Sequence, residues 1–576
     1  MGPPFTDFIP QEIVLKILDF CDFVEALRFS QTCKVYYQLV TCSSALQLRI
    51  ELVASGYQLS DEGSRRSRAG ETAGLLDEFR RFRDGWLYMK IGRPLRLEPV
   101  DADMRLYELR QGYYAAALSS TYALPGVVKL TGLHDISSRL LSLGIQFSEF
   151  QIDPSQELMV LVAIEAPISM VSSIHIRSIR KEGPHTGALH PDWTIQLPFH
   201  MERRSSGIFV EVMDELLAIK YVSYEKEVSN ILIWNWKTGT LLNRIECRGV
   251  SCTFGFFTSD SLLLFQSTEA PAVNLLIYEN IRSSDRPSQD HQAHCNVSDY
   301  TPLAPGFEFG FPVLPPNAIA YLLMRAEPVP TLSCSGPSMF LPLPACRVIQ
   351  LSMTVIRNVG HDRGLNQYQI FLSKERLLKH ITPRDAPGTV HVPWEAWGEH
   401  TTRWFGTMSA ISPWICRTYG SRFIQAHPFG DDDDEGNQPL EYLSVLEFHQ
   451  PTVRRFSSLG CDKHLSMWST PEARRHVDLN SNDEDMEYVT NALLNKHNLV
   501  EDNPVFVDTI DEDVPTYTQF NGTDLVTRLP YRIVTMRRPV PKHSGWMMDN
   551  NLIIGMPGDD LENIQNEHMN IFTPMA

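Results

Sequence analysis

The sequence lacks Cys-x-x-Cys pairs, long apolar runs and a basic leader. Its ten cysteines are scattered, as free thiols are in a reducing compartment, so neither a disulfide framework nor a zinc site is indicated. The longest apolar run, from Leu158 to Val171, is broken by Glu165 and Pro167 and is shorter than the roughly 20 residues that cross a bilayer. We therefore expect a cytoplasmic or nuclear protein without a signal peptide or a membrane segment.

Basic residues are also in the minority, with 51 Lys and Arg against 69 Asp and Glu and a net charge of -18. A surface of that sign repels phosphate backbones and anionic lipid heads, which disfavours nucleic acid and membranes as partners. A Gly-rich phosphate loop, an HExxH helix and a GxSxG elbow are missing as well. These absences favour a protein that is not an enzyme and that needs no cofactor.

Two histidine pairs invite a metal hypothesis, His291 with His294 and His391 with His400. Each pair lacks the third ligand that a catalytic zinc site needs, and no Cys or Asp at suitable spacing completes the set. No metal site is therefore predicted.

Apolar residues recur at helical spacing from Ile9 to about Met89. Asp22 with Glu25 three residues later predicts a capping box for the second of four helices. Ser43 or Ser44 is a candidate cap for the fourth, which Gly56 would end in a left-handed conformation. We expect a helical domain over 1–55, a flexible loop over 56–74 where Ser, Gly, Arg and Glu dominate, and a connecting helix over 75–92.

We predict a mainly β body over residues 93–576, because short β-rich runs alternate there with Pro, Gly and Asp. The segment from Asn230 to Ile245 has the pattern of strand, Lys-Thr-Gly turn and strand that is typical of the outer hairpin of a propeller blade. Similar pairs of runs begin at Leu158, Leu216 and Leu262, which are 58 and 46 residues apart. The predicted fold class is an all-α N-terminal part followed by a β-propeller of seven or eight blades.

A Trp-rich segment runs from Val392 to Trp404 and includes Trp394, Glu395 and Trp397. Tryptophan supplies a large apolar body with one hydrogen-bond donor, so the cluster suits a core between blades or the lining of a ligand pocket. The core interpretation is favoured.

The N-terminal helices resemble an F-box. The segment Ile9-Pro10-Gln11-Glu12-Ile13, followed without a gap by Ala26-Leu27-Arg28-Phe29-Ser30 and Thr32-Cys33-Lys34, follows the F-box pattern that begins Leu-Pro-x-Glu-Leu/Ile. The resemblance implies a Skp-type adaptor as partner and, through it, cullin and RING subunits. It also implies which residues contact the adaptor or hold the helices that do: Ile9, Pro10, Ile13, Ile17, Leu18, Phe20, Phe23, Leu27 and Phe29.

The body resembles fungal F-box proteins with a propeller-like C-terminal region. The resemblance is carried by Trp394-Glu395-Ala396-Trp397-Gly398, Arg403-Trp404, Leu529-Pro530-Tyr531 with Val534, and Met548-Asp549 to Ile553-Ile554-Gly555. Together the two resemblances imply a substrate-recognition subunit of an SCF-type ubiquitin ligase, with the β-rich body binding an unknown target protein. Two alternatives stay open, a non-ligase F-box scaffold and a propeller hydrolase or carbohydrate binder.

Overall fold

The computed structural model describes most of the chain. The described residues are 9–97, 104–119, 124–203, 207–249, 251–267, 272–283, 294–315, 318–325, 338–359, 362–382, 388–407, 416–429, 440–456, 478–479, 505–549, 552–557 and 568–574. Within them no helix has the length and apolar content needed to span a membrane.

The N-terminal part is helical, as predicted. Its elements are α1 (Gln11–Phe20), α2 (Phe23–Ser30), α3 (Lys34–Cys42), α4 (Ser44–Ala54), β1 (Tyr57–Leu59), α5 (Asp61–Arg68) and α6 (Thr72–Leu87). The predicted capping box closes α2, since Asp22 Oδ1 accepts from the Glu25 amide at 2.7 Å and Glu25 Oε2 accepts from the Asp22 amide at 2.9 Å. Ser43 caps α4, and Gly56 follows that helix with a φ of +78°.

The prediction of a loop over 56–74 was wrong. This segment forms β1 and α5, and α6 begins at Thr72. Ser60 caps α5 by accepting a hydrogen bond from the Gly63 amide, and Arg66 pairs with Glu71 and Glu78 at 2.8 and 2.9 Å. A cap and ion pairs thus stabilise a helix that has little apolar surface to bury.

The body is a propeller of seven blades, within the predicted range of seven or eight. Each blade is built on a sheet of antiparallel strands, and blades 2, 4 and 5 each add one outer strand in parallel. Blade 1 holds β3 (Met104–Arg110), β4 (Tyr113–Leu118), β5 (Val127–Gly132) and β6 (Ser137–Ser142); blade 2 holds β7 (Glu149–Asp153), β8 (Leu158–Ile164), β9 (Ile168–Ser178) and β10 (Asp192–Glu202); blade 3 holds β11 (Ile208–Met213), β12 (Leu216–Ser223), β13 (Val228–Asn235) and β14 (Thr240–Arg248).

Blades 4 to 6 are built from strands farther apart in the chain. Blade 4 holds β15 (Cys252–Thr258), β16 (Ser261–Ser267), β17 (Val273–Glu279), β19 (Phe307–Gly310) and β24 (Val390–Val392); blade 5 holds β20 (Ala318–Arg325), β22 (Val348–Val359), β23 (Asp362–Ser373), β25 (Thr402–Thr407) and β29 (Asp478–Leu479); blade 6 holds β26 (Thr418–Tyr419), β27 (Arg422–Phe429), β28 (Leu440–Glu447), β33 (Tyr531–Met536), β30 (Val505–Ile510) and β34 (Val540–Pro541).

Blade 7 closes the ring with strands from both ends of the body. It holds β35 (Gly545–Asp549), β36 (Leu552–Met556), β37 (Met569–Phe572) and, on its outer edge, β2 (Leu95–Leu97). Strand β2 pairs antiparallel with β37, so that Leu95 lies opposite Ile571 and Leu97 opposite Met569. A strand that directly follows the helical part therefore completes the last blade.

The remaining elements decorate this ring. They are β18 (His294–Asn296), which extends blade 2, β21 (Phe340–Pro342), which pairs with β1, the hairpin of β31 (Thr516–Phe520) and β32 (Thr523–Thr527), and the helices α7 (Lys374–Leu378), α8 (Trp394–Thr401) and α9 (Gln450–Arg455).

The repeats predicted from the sequence are confirmed in blades 2 to 4. The runs that begin at Leu158, Leu216 and Leu262 lie in the second strands of these blades, and the runs that follow them lie in the third strands. Every residue of β8 and of β12 is buried, because neighbouring blades cover both faces of a sheet. These strands therefore appear as continuous apolar runs and not as alternating ones.

Candidate functional site

The first four helices share a small core on one side. Its members are Val14, Leu18, Ala26, Val40, Leu46 and Ile50, which come from α1 to α4. Arg49 of α4 holds the end of α1 in place by donating to the Leu18 carbonyl at 3.1 Å. This core fixes the opposite side of the helices as a rigid surface.

That opposite side exposes large apolar side chains. Ile13, Ile17 and Phe20 follow one another by four and three residues on α1, and their exposed fractions are 47%, 49% and 91%. We call these three residues the α1 stripe. Val24 and Leu27 on α2, and Val35 and Tyr37 on α3, are exposed as well. Apolar side chains grouped in this way on a folded surface mark a site of contact with another protein.

The predicted contact residues fall into three groups. Ile13, Ile17, Phe20 and Leu27 are exposed, as is Pro10 at the start of α1. Ile9, Phe23 and Phe29 are partly buried against the helical core, where the Phe29 ring stacks on Tyr36 with centroids 4.2 Å apart.

Leu18 belongs to the third group, since it is buried in the helical core and holds α1 without reaching the surface. The sequence prediction had omitted Val24, Val35 and Tyr37. Helical spacing offered a signal for Val24, which lies three residues before Leu27 on α2.

The helices are joined to the propeller by an aromatic cluster. Its buried members are Leu48, Leu52, Tyr57, Leu75, Leu76, Phe79 and Phe340, with Phe82 packed against them. Phe340 belongs to β21 in the body, and its ring meets that of Phe79 edge to face at 5.1 Å. The helical part and the body therefore both contribute side chains to this buried cluster.

A buried carboxylate reinforces this junction. Glu51 on α4 accepts from Arg83 of α6 at 2.5 Å and from Arg455 of α9 at 2.9 Å. Burial raises the pKa of Glu51. The opposite effect is larger: the hydrogen bond and charge of Arg455, together with the charges of Arg83 and Arg80, bring the pKa below its usual value. Glu51 thus stays ionised and links three elements.

Backbone pairing completes the attachment. Strand β1 pairs with β21, the Ser60 amide donates to the Met339 carbonyl at 2.9 Å, and the Leu343 amide donates to the Gly56 carbonyl at 2.8 Å. A Cβ on Gly56 would lie 3.2 Å from the ring of His449. Glycine suits this position because it adopts the left-handed φ without strain and leaves room for the His449 ring of the body.

The inner strands of the propeller carry a second group of ionisable residues. Burial raises the pKa of Glu108 on β3 to about 7, although the Arg110 charge and a Gln151 hydrogen bond oppose the rise. Burial and the Glu108 charge raise the pKa of Glu149 on β7 and of Glu211 on β11 to about 8 each. At neutral pH Glu149 and Glu211 are therefore largely protonated and Glu108 is about half protonated, and the Glu108 charge acts on both of the others.

Arg110 is the cation of this group. It is 7% exposed, donates to the Val212 carbonyl at 2.9 Å and lies 3.3 Å from Asp153. Among the residues that the structure describes, no group of three His, Cys, Asp or Glu is placed to hold a metal ion. The raised pKa values make these carboxyls a titratable group on the inner strands of the ring.

The Trp-rich segment lies in the core between blades 4 and 5. Trp397 and Trp404 are buried, and the Trp394 ring lies 5.3 Å from Trp397 and 5.7 Å from Trp404. Phe311 fills the space beside all three. The favoured core interpretation is confirmed, since Trp397 and Trp404 belong to a buried cluster and Trp394 packs against it.

Of the histidines considered as metal ligands, His391 and His400 each lie beside a carboxylate. His391 lies 3.0 Å from Glu308 and His400 lies 3.8 Å from Glu512, both exposed. His291 lies outside the described residues.

The comparisons with known proteins identify the helical part. The family model of the F-box domain matches residues 8–44. No curated protein matches the chain.

Several solved structures are similar to the body at low identity. They include an uncharacterized protein from Listeria monocytogenes EGD-e, with 8% identity, 61% of this chain and 82% of that chain covered and a TM-score of 0.28, and hydrazine synthase from Kuenenia stuttgartiensis, with 8% identity, 82% and 97% covered and a TM-score of 0.35. A third is the β-propeller domain of the Trilobed protease from Pyrococcus furiosus, with 10% identity, 62% and 92% covered and a TM-score of 0.25. The chain carries an F-box domain at residues 8–44, followed by a seven-bladed propeller body.

Proposed function

We propose that this protein is the substrate-recognition subunit of an SCF-type ubiquitin ligase. The F-box docks on a Skp-type adaptor, and through it on cullin and RING subunits, while the propeller body binds the target protein. In this proposal the chain acts as a non-catalytic receptor, and ubiquitin transfer is promoted because the target is held near the conjugating enzyme.

The observation that carries the proposal is the α1 stripe. Three large apolar side chains on one short helix are exposed although the helix has a well-packed core on its other side. Burying a side chain of this size contributes about 1.5 to 3 kcal/mol. The stripe is therefore suited to a hydrophobic contact with the adaptor.

The junction between the F-box and the body supports a positioning role. Phe340 packs among the helices, and Glu51 pairs with Arg455 of the body. A receptor has to hold its target at a fixed distance from the ligase core, and a shared core with a backbone ladder restricts relative motion of the two parts. The resemblance of the body to fungal F-box proteins, and an action in the cytoplasm or nucleus, stay predictions.

Binding of the full-length protein to a purified Skp-type adaptor, measured by calorimetry, tests the proposal. The variant Ile13→Asp with Ile17→Asp is expected to lose adaptor binding while its melting temperature is unchanged. Ile168→Asp is the matched control, because Ile168 is 64% exposed on blade 2, and it should bind as the wild type does. Failure of the wild type to bind the adaptor, or equal binding by the stripe variant, would contradict the proposal.

A second experiment separates a ligase receptor from an F-box scaffold. Full-length protein and adaptor are mixed with cullin and RING subunits and applied to a size-exclusion column. Co-elution of all four supports the receptor, whereas recovery of adaptor without cullin favours the scaffold. The packing of the Trp cluster in a core supports the receptor over the propeller hydrolase or carbohydrate binder.

A further inference from the structure

A cavity of about 440 Å³ lies between blades 6 and 7. Three separate segments form it: residues 91–96, which include β2, residues 536–541 of blade 6, and residues 568–572, which include β37. Sites for small molecules usually have volumes of about 300 to 1,000 Å³. The cavity is large enough for a compact ligand and lies where the ring closes.

Its charge is opposite to that of the whole protein. Arg93, Arg96 and Arg538 line it and are exposed, while none of the described lining residues is acidic. None of the three arginines forms an ion pair with another described residue. Three unpaired guanidinium groups in a chain of net charge -18 are a site where a compact anion is bound favourably.

One wall presents a buried polar group. Asn570 lines the cavity, is 7% exposed and lies opposite Arg96 in the pairing of β37 with β2. Its side chain lies 2.8 Å from Nε2 of His543. Nδ1 of His543 lies 2.6 Å from the Pro541 carbonyl, which can only accept, so Nδ1 carries the proton.

This fixes the orientation of the amide. Burial lowers the pKa of His543 to about 4, so that the ring is neutral and Nε2 accepts from Asn570 Nδ2. Asn570 Oδ1 is then left without a hydrogen-bond partner among the described residues, as is Nδ1 of His568 in the same wall. A buried acceptor without a donor costs about 1 to 3 kcal/mol, and a ligand hydroxyl would remove that cost.

The other walls are apolar and stiff. Met536, Val540 and Phe572 are buried side chains, and Pro94, Pro539 and Pro541 stand between them. Proline side chains lose little conformational entropy on contact with a ligand. The cavity thus offers a surface for the carbon skeleton of a small molecule next to its cationic rim.

We propose that this cavity binds a phosphate monoester of a small polyhydroxylated molecule, such as a sugar phosphate. Arg93, Arg96 and Arg538 hold the phosphate, the carbon skeleton lies on the proline-rich wall, and a hydroxyl donates to Asn570 Oδ1. A phosphate monoester carries a charge of about -1.5 to -2 at pH 7 and has three acceptor oxygens, which suits three guanidinium groups better than a single carboxylate does. Because the ligand contacts both β2 and blade 6, it also strengthens the closure of the ring.

Calorimetry on the full-length protein tests the site, with glucose 6-phosphate and glycerol 3-phosphate as probes. At least one probe is expected to bind and to raise the melting temperature, and inorganic phosphate is expected to bind more weakly because it makes no contact with the wall. Arg93→Ala with Arg538→Ala should weaken binding at least tenfold. Arg248→Ala removes an exposed arginine at the end of β14 and should change nothing.

Several results would overturn the proposal. They are binding of neither probe, equal binding by the double variant, or inorganic phosphate binding as tightly as the esters. Binding of a phosphoserine peptide through the same arginines, without binding of either probe, would assign the site to a protein ligand instead. Arg538→Lys keeps the charge and guards against misfolding of the alanine variant, since it should weaken binding less while the unliganded melting temperature stays the same.

Discussion

Phe20 on the first helix is 91% exposed, whereas Trp404 in the propeller is completely buried. Both belong to segments that are rich in apolar side chains. A blade has a neighbouring blade on each face, so the chain itself covers the aromatic residues between them. Helix α1 has the other helices on one side only, and its apolar stripe is left for another molecule. Apolar composition therefore indicates a core in the body and a contact surface in the helices.

The largest expected effect is a loss of stability on substitution of a buried aromatic residue in the propeller. Trp404→Ala removes a ring that packs against Phe311, Tyr368, Trp394 and Phe520, and it should lower the free energy of unfolding by about 3 to 5 kcal/mol. Denaturant unfolding measures this loss. Adaptor binding at a temperature where the variant is folded should match the wild type, and a loss of binding would show that the two regions are not independent.

Substitutions in the exposed α1 stripe should weaken adaptor binding and leave stability nearly unchanged. Ile17→Ala with Phe20→Ala is expected to weaken adaptor binding at least 30-fold, about 2 kcal/mol, while the free energy of unfolding changes by less than about 0.5 kcal/mol. Calorimetry and denaturant unfolding on the same preparation give both numbers. Leu140→Ala on blade 1 is a control at a similarly exposed apolar position. A large loss of stability in the stripe variant would contradict the comparison.

The junction between the two regions gives the next prediction. Glu51→Gln leaves Arg83 and Arg455 without their carboxylate partner and should lower the stability of the junction by about 2 kcal/mol. Faster hydrogen exchange in α6 and β1 would report this loss. Glu62→Gln, at an exposed pair with Arg65, should have no effect, and adaptor affinity should be unchanged in both variants.

The smallest effect concerns the inner carboxyls and depends on pH. The folded-state pKa values of Glu149 and Glu211, about 8, lie above the ordinary value of 4.5, so the folded protein binds more protons than the unfolded chain between these values. The stability that they contribute is fully present below pH 4.5 and is lost as the pH rises through about 8.

Glu149→Gln with Glu211→Gln should flatten this dependence. The double variant is expected to gain about 1 to 2 kcal/mol at pH 8 and little at pH 5, since one pKa unit corresponds to 1.36 kcal/mol and the two groups are not independent. Denaturant unfolding at both pH values measures the gain, with Glu225→Gln as an exposed control. An equal gain at pH 5 and pH 8 would show that the carboxyls are not protonated in the folded state.

Local patterns predicted the helical part and the early blades well. The capping box at Asp22 and Glu25 and the runs that begin at Leu158, Leu216 and Leu262 depend on neighbours in sequence, and the structure has them where they were expected. The prediction for 56–74 was wrong because β1 pairs with β21, almost 300 residues away. Local composition does not indicate a partner at that distance.

Other features depend on spatial grouping. The sequence does not assign strands to the later blades, because β24, β29 and β30 join sheets far from their sequence neighbours. Glu108, Glu149 and Glu211 are ordinary glutamates in the sequence and become a group only when three inner strands meet. For the contact surface, the motif supplied Ile13, Ile17 and Phe20, but the burial of Leu18 required the packed helices.

The pairing of β2 with β37 has a consequence for folding during synthesis. Because Leu97 pairs with Met569, the ring cannot close until almost the whole body has left the ribosome. Chains are made at about 5 to 20 residues per second, and N-terminal units fold first. The F-box helices are therefore complete, with their apolar stripe exposed, for tens of seconds before the last blade forms. An adaptor that binds during this interval would protect the stripe from aggregation while translation continues.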